Sequence, residues 1–209
     1  MFFTACPIIE KLIVKCDSGI VVYDTDIDQI SKFIYDNKED FFAGKQIETG
    51  EGKMAKRTIL VDSARRELEK HGTETFPMTV NHDDLWSFEG KNVPIHWHND
   101  LEINLIREGE AVFQVYQECY RVRPGEGFLL NRNVPHSCSS AGNEHVRYST
   151  ILVRPDFLYG DFGSDVERKC FQPFLQNSAI PCIYLTGFDE NGKEILQKLN
   201  QVEEAFDRK

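Results

Sequence analysis

Gly90-Lys91-Asn92-Val93-Pro94-Ile95-His96-Trp97-His98-Asn99-Asp100-Leu101-Glu102-Ile103-Asn104-Leu105-Ile106-Arg107-Glu108-Gly109 is the stretch whose reading decides the fold. Between the two glycines, His96, His98 and Glu102 fall at even spacings. Strand side chains alternate at period two, so a strand over residues 94–107 sets all three on one face. Two imidazoles and a carboxylate are costly to bury in a sheet unless a metal, a polar ligand or one another satisfies them. Asn104 shares their parity and is a further candidate for contact with a ligand. Trp97, Leu101, Ile103 and Leu105 form the opposite stripe and read as core beneath a covering element.

Working outward, short runs of strand-forming residues are separated by turn residues from Phe76 onward, the pattern of a barrel or sandwich. Besides 94–107, strands are expected near residues 111–116, 120–122, 127–131 and 146–153. Residues 155–158 and 165–175 read as helical and 181–185 as a short extended piece. Residues 194–208 read as an amphipathic helix with Ile195, Leu199, Val202 and Phe206 on one stripe. That stripe suits either a homodimer interface or docking on the barrel's own flank. Upstream, Asp62-Ser63 can cap a short charged helix over 64–71 that Gly72 closes, with His71 at its end. His82 and His145 sit in polar contexts and read as solvated loop residues.

Residues 1–53 carry a hairpin pattern over 11–23 and helical spacing at Ile27, Ile30, Phe33, Ile34 and Phe41. Gly50-Glu51-Gly52-Lys53 directly before Met54 is also what a translated ribosome-binding site resembles, so a start at Met54 is a second reading of this segment. The expected division is an N-terminal extension over 1–53, a linker helix over 54–75, a barrel over 76–154 and a helical C-terminal segment over 155–209.

With 209 residues, 41% of them hydrophobic and 11% aromatic, the chain can bury one good core. A net charge of −10 argues against this piece of chain gripping nucleic acid by itself, because phosphate binding needs clustered Lys and Arg. No apolar run approaches a membrane span, and the expected location is the cytoplasm. The six cysteines are scattered without a C-x-x-C pair, which fits reduced thiols better than a disulfide frame.

The spacing from Gly90 to Gly109 resembles the first sequence motif of the cupin superfamily, and Gly125 with His136 stands where the second motif supplies a further histidine. That second match departs at Asn131, Asn133 and Ser140, where the motif has proline, glycine and asparagine. Asn133 can still serve its turn, since Asn tolerates the left-handed conformation. Phe76-Pro77, Val122-Arg123-Pro124-Gly125-Glu126-Gly127, Leu130 to Ser137 and Phe157-Leu158-Tyr159-Gly160 are similar, together with the first motif, to the sensory domain of AraC-family transcriptional regulators. The likeness runs from about Arg66 to the C-terminus.

The resemblance implies a mainly β fold: a cupin, meaning a small double-stranded β-helix or jelly-roll barrel, with flanking α-helices, a C-terminal amphipathic helix and a short α+β N-terminal extension. It implies a module that binds a small-molecule effector, such as a sugar, and contributes to a homodimer. DNA would be reached only through helix-turn-helix units that in the family lie beyond the position of Lys209. His96, His98, Glu102, Asn104 and His136 are the expected effector contacts. His96, His98, Glu102 and His136 also suit a divalent transition metal, with Zn, Fe, Mn and Ni all compatible. The alternative is a metal-dependent cupin enzyme, a dioxygenase, isomerase or decarboxylase acting on a small organic acid or sugar.

Overall fold

The computed structural model describes residues 56–208, and the readings made for residues 1–53 lie outside it. Its strands are β1 (Met78–Asp84), β2 (Val93–His96), β3 (Leu101–Glu108), β4 (Ala111–Val115), β5 (Glu118–Val122), β6 (Gly127–Leu130), β7 (His136–Ser140), β8 (Arg147–Val153) and β9 (Cys182–Leu185). All pairings between these strands are antiparallel, in a five-stranded sheet of order β1-β8-β3-β6-β9 and a four-stranded sheet of order β2-β7-β4-β5. The helices are α1 (Pro155–Tyr159), a π-helical turn (Glu167–Phe171) that runs into α2 (Gln172–Leu175), and α3 (Glu190–Asp207).

The two sheets pack face to face through Val93, Phe113, Val115, Val122 and Cys138 of one and Ile106, Phe128, Leu130 and Tyr148 of the other. The five-stranded sheet is covered on its second face as well, where Leu101, Ile103, Leu105, Ile151 and Val153 meet Phe171, Phe174, Leu199 and Val202 of the helices. Burial on both faces explains why β3 is buried continuously from Leu101 to Ile106 instead of alternating. Leu101, Ile103 and Leu105 are thus core beneath a covering element, as expected. Trp97 is not; it is only half-buried, below the guanidinium of Arg66 at 5.7 Å.

The expected strand over 94–107 is two strands in different sheets. Residues 97–100 carry the chain from β2 in the four-stranded sheet across to β3 in the five-stranded one. β1 and β7 were not expected either. β1 ends in four polar residues, Asn81 to Asp84, and β7 is the small polar run His136-Ser137-Cys138-Ser139-Ser140, so neither shows strong apolar alternation. His82 accordingly lies on β1 and not in a loop, though its side chain is exposed.

No helix forms over residues 64–71, and His71 is not a helix-end residue. Asp62 does accept from backbone N–H groups, those of Ala64 at 2.8 Å and Arg66 at 2.9 Å, but it closes a hairpin instead of capping a helix. Asp62 N donates to Arg66 O, Val61 pairs antiparallel with Glu67, and Arg65 takes a left-handed φ of 65°. Asp followed by Ser announces an Asx turn as readily as an N-cap, and here a strand partner, Trp97, decided between them.

α3 is capped by Asp189, which accepts from Gly192 N at 2.9 Å. Its residues Ile195, Leu196, Leu199 and Val202 are all buried against the five-stranded sheet, with Phe206 packed beside them. The stripe is therefore occupied by the chain's own barrel, which removes it as a free homodimer face. Polar contacts fix the helix in the same place. Arg107 donates to Asn200 Oδ1 at 2.7 Å and pairs with Glu203, Ser149 Oγ donates to Glu203 Oε1 at 2.5 Å, and His82 Nε2 lies 2.9 Å from Asp207 Oδ1.

Candidate functional site

The crossover at residues 97–100 and the facing of the two sheets bring the four histidine and glutamate side chains together. His96 and His136 stand opposite each other in the β2–β7 register, and Glu102 reaches them from β3 in the other sheet. His98 projects from the crossover itself, whose carbonyl accepts from Asn133 N at 2.7 Å. Asn133 has φ 60°, so it does take the left-handed turn expected of it. Asn131 ties the sheet to the helices, its Nδ2 donating to Phe174 O at 2.9 Å. Donor atoms of His96, His98, Glu102 and His136 all lie within 4.8 Å of one another, and all four residues are buried.

Each imidazole is oriented by a main-chain carbonyl. Nδ1 lies 2.9 Å from Pro94 O in His96, 3.1 Å from Asp100 O in His98 and 2.8 Å from Val134 O in His136. With Nδ1–H donating, every Nε2 turns inward toward the common centre. Glu102 Oε2 lies 2.9 Å from His98 Nε2 and 3.2 Å from His136 Nε2, the latter without hydrogen-bond alignment, so His136 Nε2 is a buried polar atom left without a hydrogen bond. Burial alone would push the Glu102 carboxyl up, but the proximity of His136, and then of His98, holds it well below the usual range. Burial opposes the charged form of His136 too, yet Glu102 raises its pKa. In His96 burial and the neighbouring His136 lower the value to about 4, which keeps the ring neutral.

Asn104 is on the expected face but is completely buried beneath the carboxylate and does not reach the cavity wall. Its Nδ2 donates to Glu102 Oε1 at 2.7 Å. The Thr150 hydroxyl lies 3.1 Å from Asn104 Oδ1 and 2.8 Å from Asp83 Oδ2, and its single proton serves one of them at a time. Asp83 in turn pairs with Arg57 at 2.6 Å. A polar relay thus runs from Glu102 out to the 56–75 segment.

A cavity of about 320 Å³ opens onto this cluster. His96 and Glu102 form its floor; Asp83, Tyr148 and Thr150 line one side; Arg57, Glu67 and His71 close it from the 56–75 segment. His98 and His136 do not line the cavity. Glu67 and His71 went unnoticed in the sequence because the helical reading of 64–71 placed them on a solvated surface. Instead His71 lies 2.9 Å from Asp100 Oδ2 and 3.6 Å from Glu67 Oε1. Burial would lower its pKa, but the hydrogen bond to Asp100 and the proximity of Glu67 raise it to about 10.

Two antiparallel sheets closed face to face, with three histidines and a glutamate converging inside, define a cupin-type sandwich. Within that class, residues 85–182 match the model of the AraC-like ligand binding domain. Two relatives from Bacillus subtilis (strain 168), both named as uncharacterized HTH-type transcriptional regulators, are similar to it. YdeC is 23% identical over 153 residues, 73% of this chain and 52% of the relative; YbfI is 28% identical over 79 residues, 37% of this chain and 29% of the relative. The chain thus spans about half the length of the first and under a third of the second. Among solved structures, a cupin protein from Bacteroides fragilis is 22% identical at a TM-score of 0.33, with 42% of this chain and 73% of that one covered. The cupin domain of Schizosaccharomyces pombe Cnp3 is 19% identical at a TM-score of 0.33, with 39% and 58% covered. No helix among the described residues is long and apolar enough to cross a membrane.

Proposed function

We propose that this chain is the small-molecule-sensing module of an AraC-type transcriptional regulator, acting on transcription through DNA-binding units attached to it. The observation that carries the reading is the polar cavity floored by His96 and Glu102 inside an AraC-like ligand binding domain. Its lining of carboxylates, imidazoles, Tyr148 and Thr150 suits an oxygen-rich effector of sugar or hydroxy-acid size that exchanges several hydrogen bonds with the wall. His96 and Glu102 would touch that effector, and His98 and His136 would hold the floor. Asn104 would orient Glu102. An effector that binds one arrangement of the module more tightly than another shifts the population toward it, which is all that a change in DNA-binding geometry requires.

His96, His98, Glu102 and His136 fit a divalent transition metal, Zn, Fe, Mn or Ni, because three inward ring nitrogens, one of them orphaned, surround a carboxylate. When bound, the metal would supply a Lewis-acidic centre for an oxygen of the effector. The three carbonyls at the Nδ1 positions are the supports that such ligands usually have. The same donor set is what keeps a metal-dependent enzyme as the second reading.

The test is a thermal-shift screen of sugars, sugar acids and small organic acids on the 209-residue chain, followed by calorimetry on H96A and E102Q. A stabilising compound whose binding is lost in both variants supports the sensor reading. Binding indifferent to both substitutions would refute the assigned floor. Conversion of the compound by metal-loaded protein would move the chain to the enzyme reading.

A further inference from the structure

Glu67 lies outside the segment matched to the ligand binding domain, which begins at residue 85. Its side chain is only 5% exposed and forms part of the cavity wall, with Oε2 3.9 Å from His96 Nε2 and Oε1 3.6 Å from His71 Nε2. The main chain holds it there. Glu67 N donates to Trp97 O at 2.9 Å, Trp97 N donates to Arg65 O at 3.1 Å, and Trp97 Nε1 donates to Ala64 O at 2.8 Å. Trp97 stands between His96 and His98, so these three bonds fasten Glu67 to the turn that bears two of the four clustered residues.

His96 donates through Nδ1 to Pro94 O, so its Nε2 presents a lone pair on the side of Glu67. A carboxylate and a ring lone pair facing each other are two acceptors with no proton between them, an arrangement that calls for a donor or a cation. Their 3.9 Å separation is about twice a metal–ligand bond of roughly 2 Å. His98 and His136 do not line the cavity, whereas Glu67 does. Its oxygens fall outside the set of donor atoms that all lie within 4.8 Å of one another, so coordination draws the carboxylate inward from its place beside His96.

We propose that Glu67 is a fifth donor to a divalent metal held by His96, His98, Glu102 and His136, so that metal occupancy and docking of the 61–71 hairpin reinforce each other. The inference rests on the reading of that cluster as a metal site. Linkage makes the reinforcement reciprocal: whatever the docked hairpin adds to metal affinity, the metal adds to docking.

Co²⁺ titration of the full 209-residue chain, purified without a polyhistidine tag, tests this in wild type, E67Q and E69Q. Glu69 lines the same cavity and controls for loss of charge without loss of a donor. The readouts are affinity by chelator competition, the visible absorption of Co²⁺, which reports coordination geometry, and hydrogen exchange over residues 64–71. Wild type should take one Co²⁺ and gain protection over 64–71. E67Q should bind at least about tenfold more weakly, with an altered spectrum and no gain in protection, and E69Q should behave as wild type. Metal-free E67Q should match wild type in far-UV circular dichroism. Equal affinity and identical spectra for wild type and E67Q would overturn the role of Glu67 and leave the four-donor site standing. Failure of wild type to bind Co²⁺ would overturn both.

Discussion

Leu199→Ala separates the two fates open to the apolar stripe of α3. Leu199 is 1% exposed and packs among the buried residues between α3 and the five-stranded sheet. The substitution removes three carbons, about 2.4 kcal/mol at roughly 0.8 kcal/mol per buried methylene. The cavity left behind adds to this, so a total of about 3–5 kcal/mol is expected. Such a loss is a large part of the 5–15 kcal/mol that typically holds a domain folded. The assay is urea unfolding of wild type and L199A at two protein concentrations about fiftyfold apart. With the stripe docked within one chain, the loss is the same at both concentrations. Were the stripe a contact between two chains, mass action would stabilise wild type by about 2.3 kcal/mol at the higher concentration. A concentration-dependent wild-type midpoint, together with a fall in molar mass on making L199A, would refute intrachain docking.

Three further outcomes follow from named contacts. His71 is raised to about 10 by Asp100 and Glu67 against the effect of burial, so its stabilising contribution is complete below the unfolded value of 6.5 and is lost as pH rises through about 10. The melting temperature of wild type should therefore fall more steeply than that of H71Q between pH 7 and 10.5, and parallel profiles would count against the ion pairs. Asn104→Ala leaves Glu102 Oε1 without its 2.7 Å donor and should cost about 1–3 kcal/mol in a chemical melt; a neutral result would mean that water replaces the amide. Gly109 has φ 70°, and a Cβ there would stand 2.2 Å from His145 O, so G109A should lose more than about 1 kcal/mol. Gly125, with φ 86° and nothing within 4 Å of its Cβ position, should tolerate alanine better in the same melts.

Much of the fold was legible because burial left a periodic trace. α3 and the strands β3, β4, β6 and β8 carry apolar residues at the spacing their packing demands. β1 and β7 leave no such trace. β1 is an edge strand whose second half is polar, and β7 sets the small hydroxyl side chains Ser137, Ser139 and Ser140 around Cys138, so neither differs from a turn in composition. The 64–71 segment failed for another reason. Its local signals, Asp62-Ser63 before and Gly72 after, suit a capped helix and a tight hairpin alike, and the partner that selects the hairpin is Trp97, some thirty residues away.

The site shows why a partly wrong strand still led to the right face. His96 and Glu102 lie in different sheets, yet their even spacing kept them together, because each sheet turns one face to a common interior and the crossover at 97–100 preserves which side is inward. Parity therefore holds through a corner when both of its arms border the same cavity. It says nothing about depth along that interior. Asn104 has the parity of Glu102 but lies beneath it, fully buried and satisfied by Glu102 and Thr150, while the cavity wall is completed by Arg57, Glu67 and His71. Those three reach the site through pairing with Asp83 of β1, with Trp97 and with Asp100, contacts that span between 26 and 30 residues and leave no period in the chain. Residues that face the interior can be read from alternation. Those that face the ligand depend on which distant segment closes the mouth, and only the folded chain specifies that.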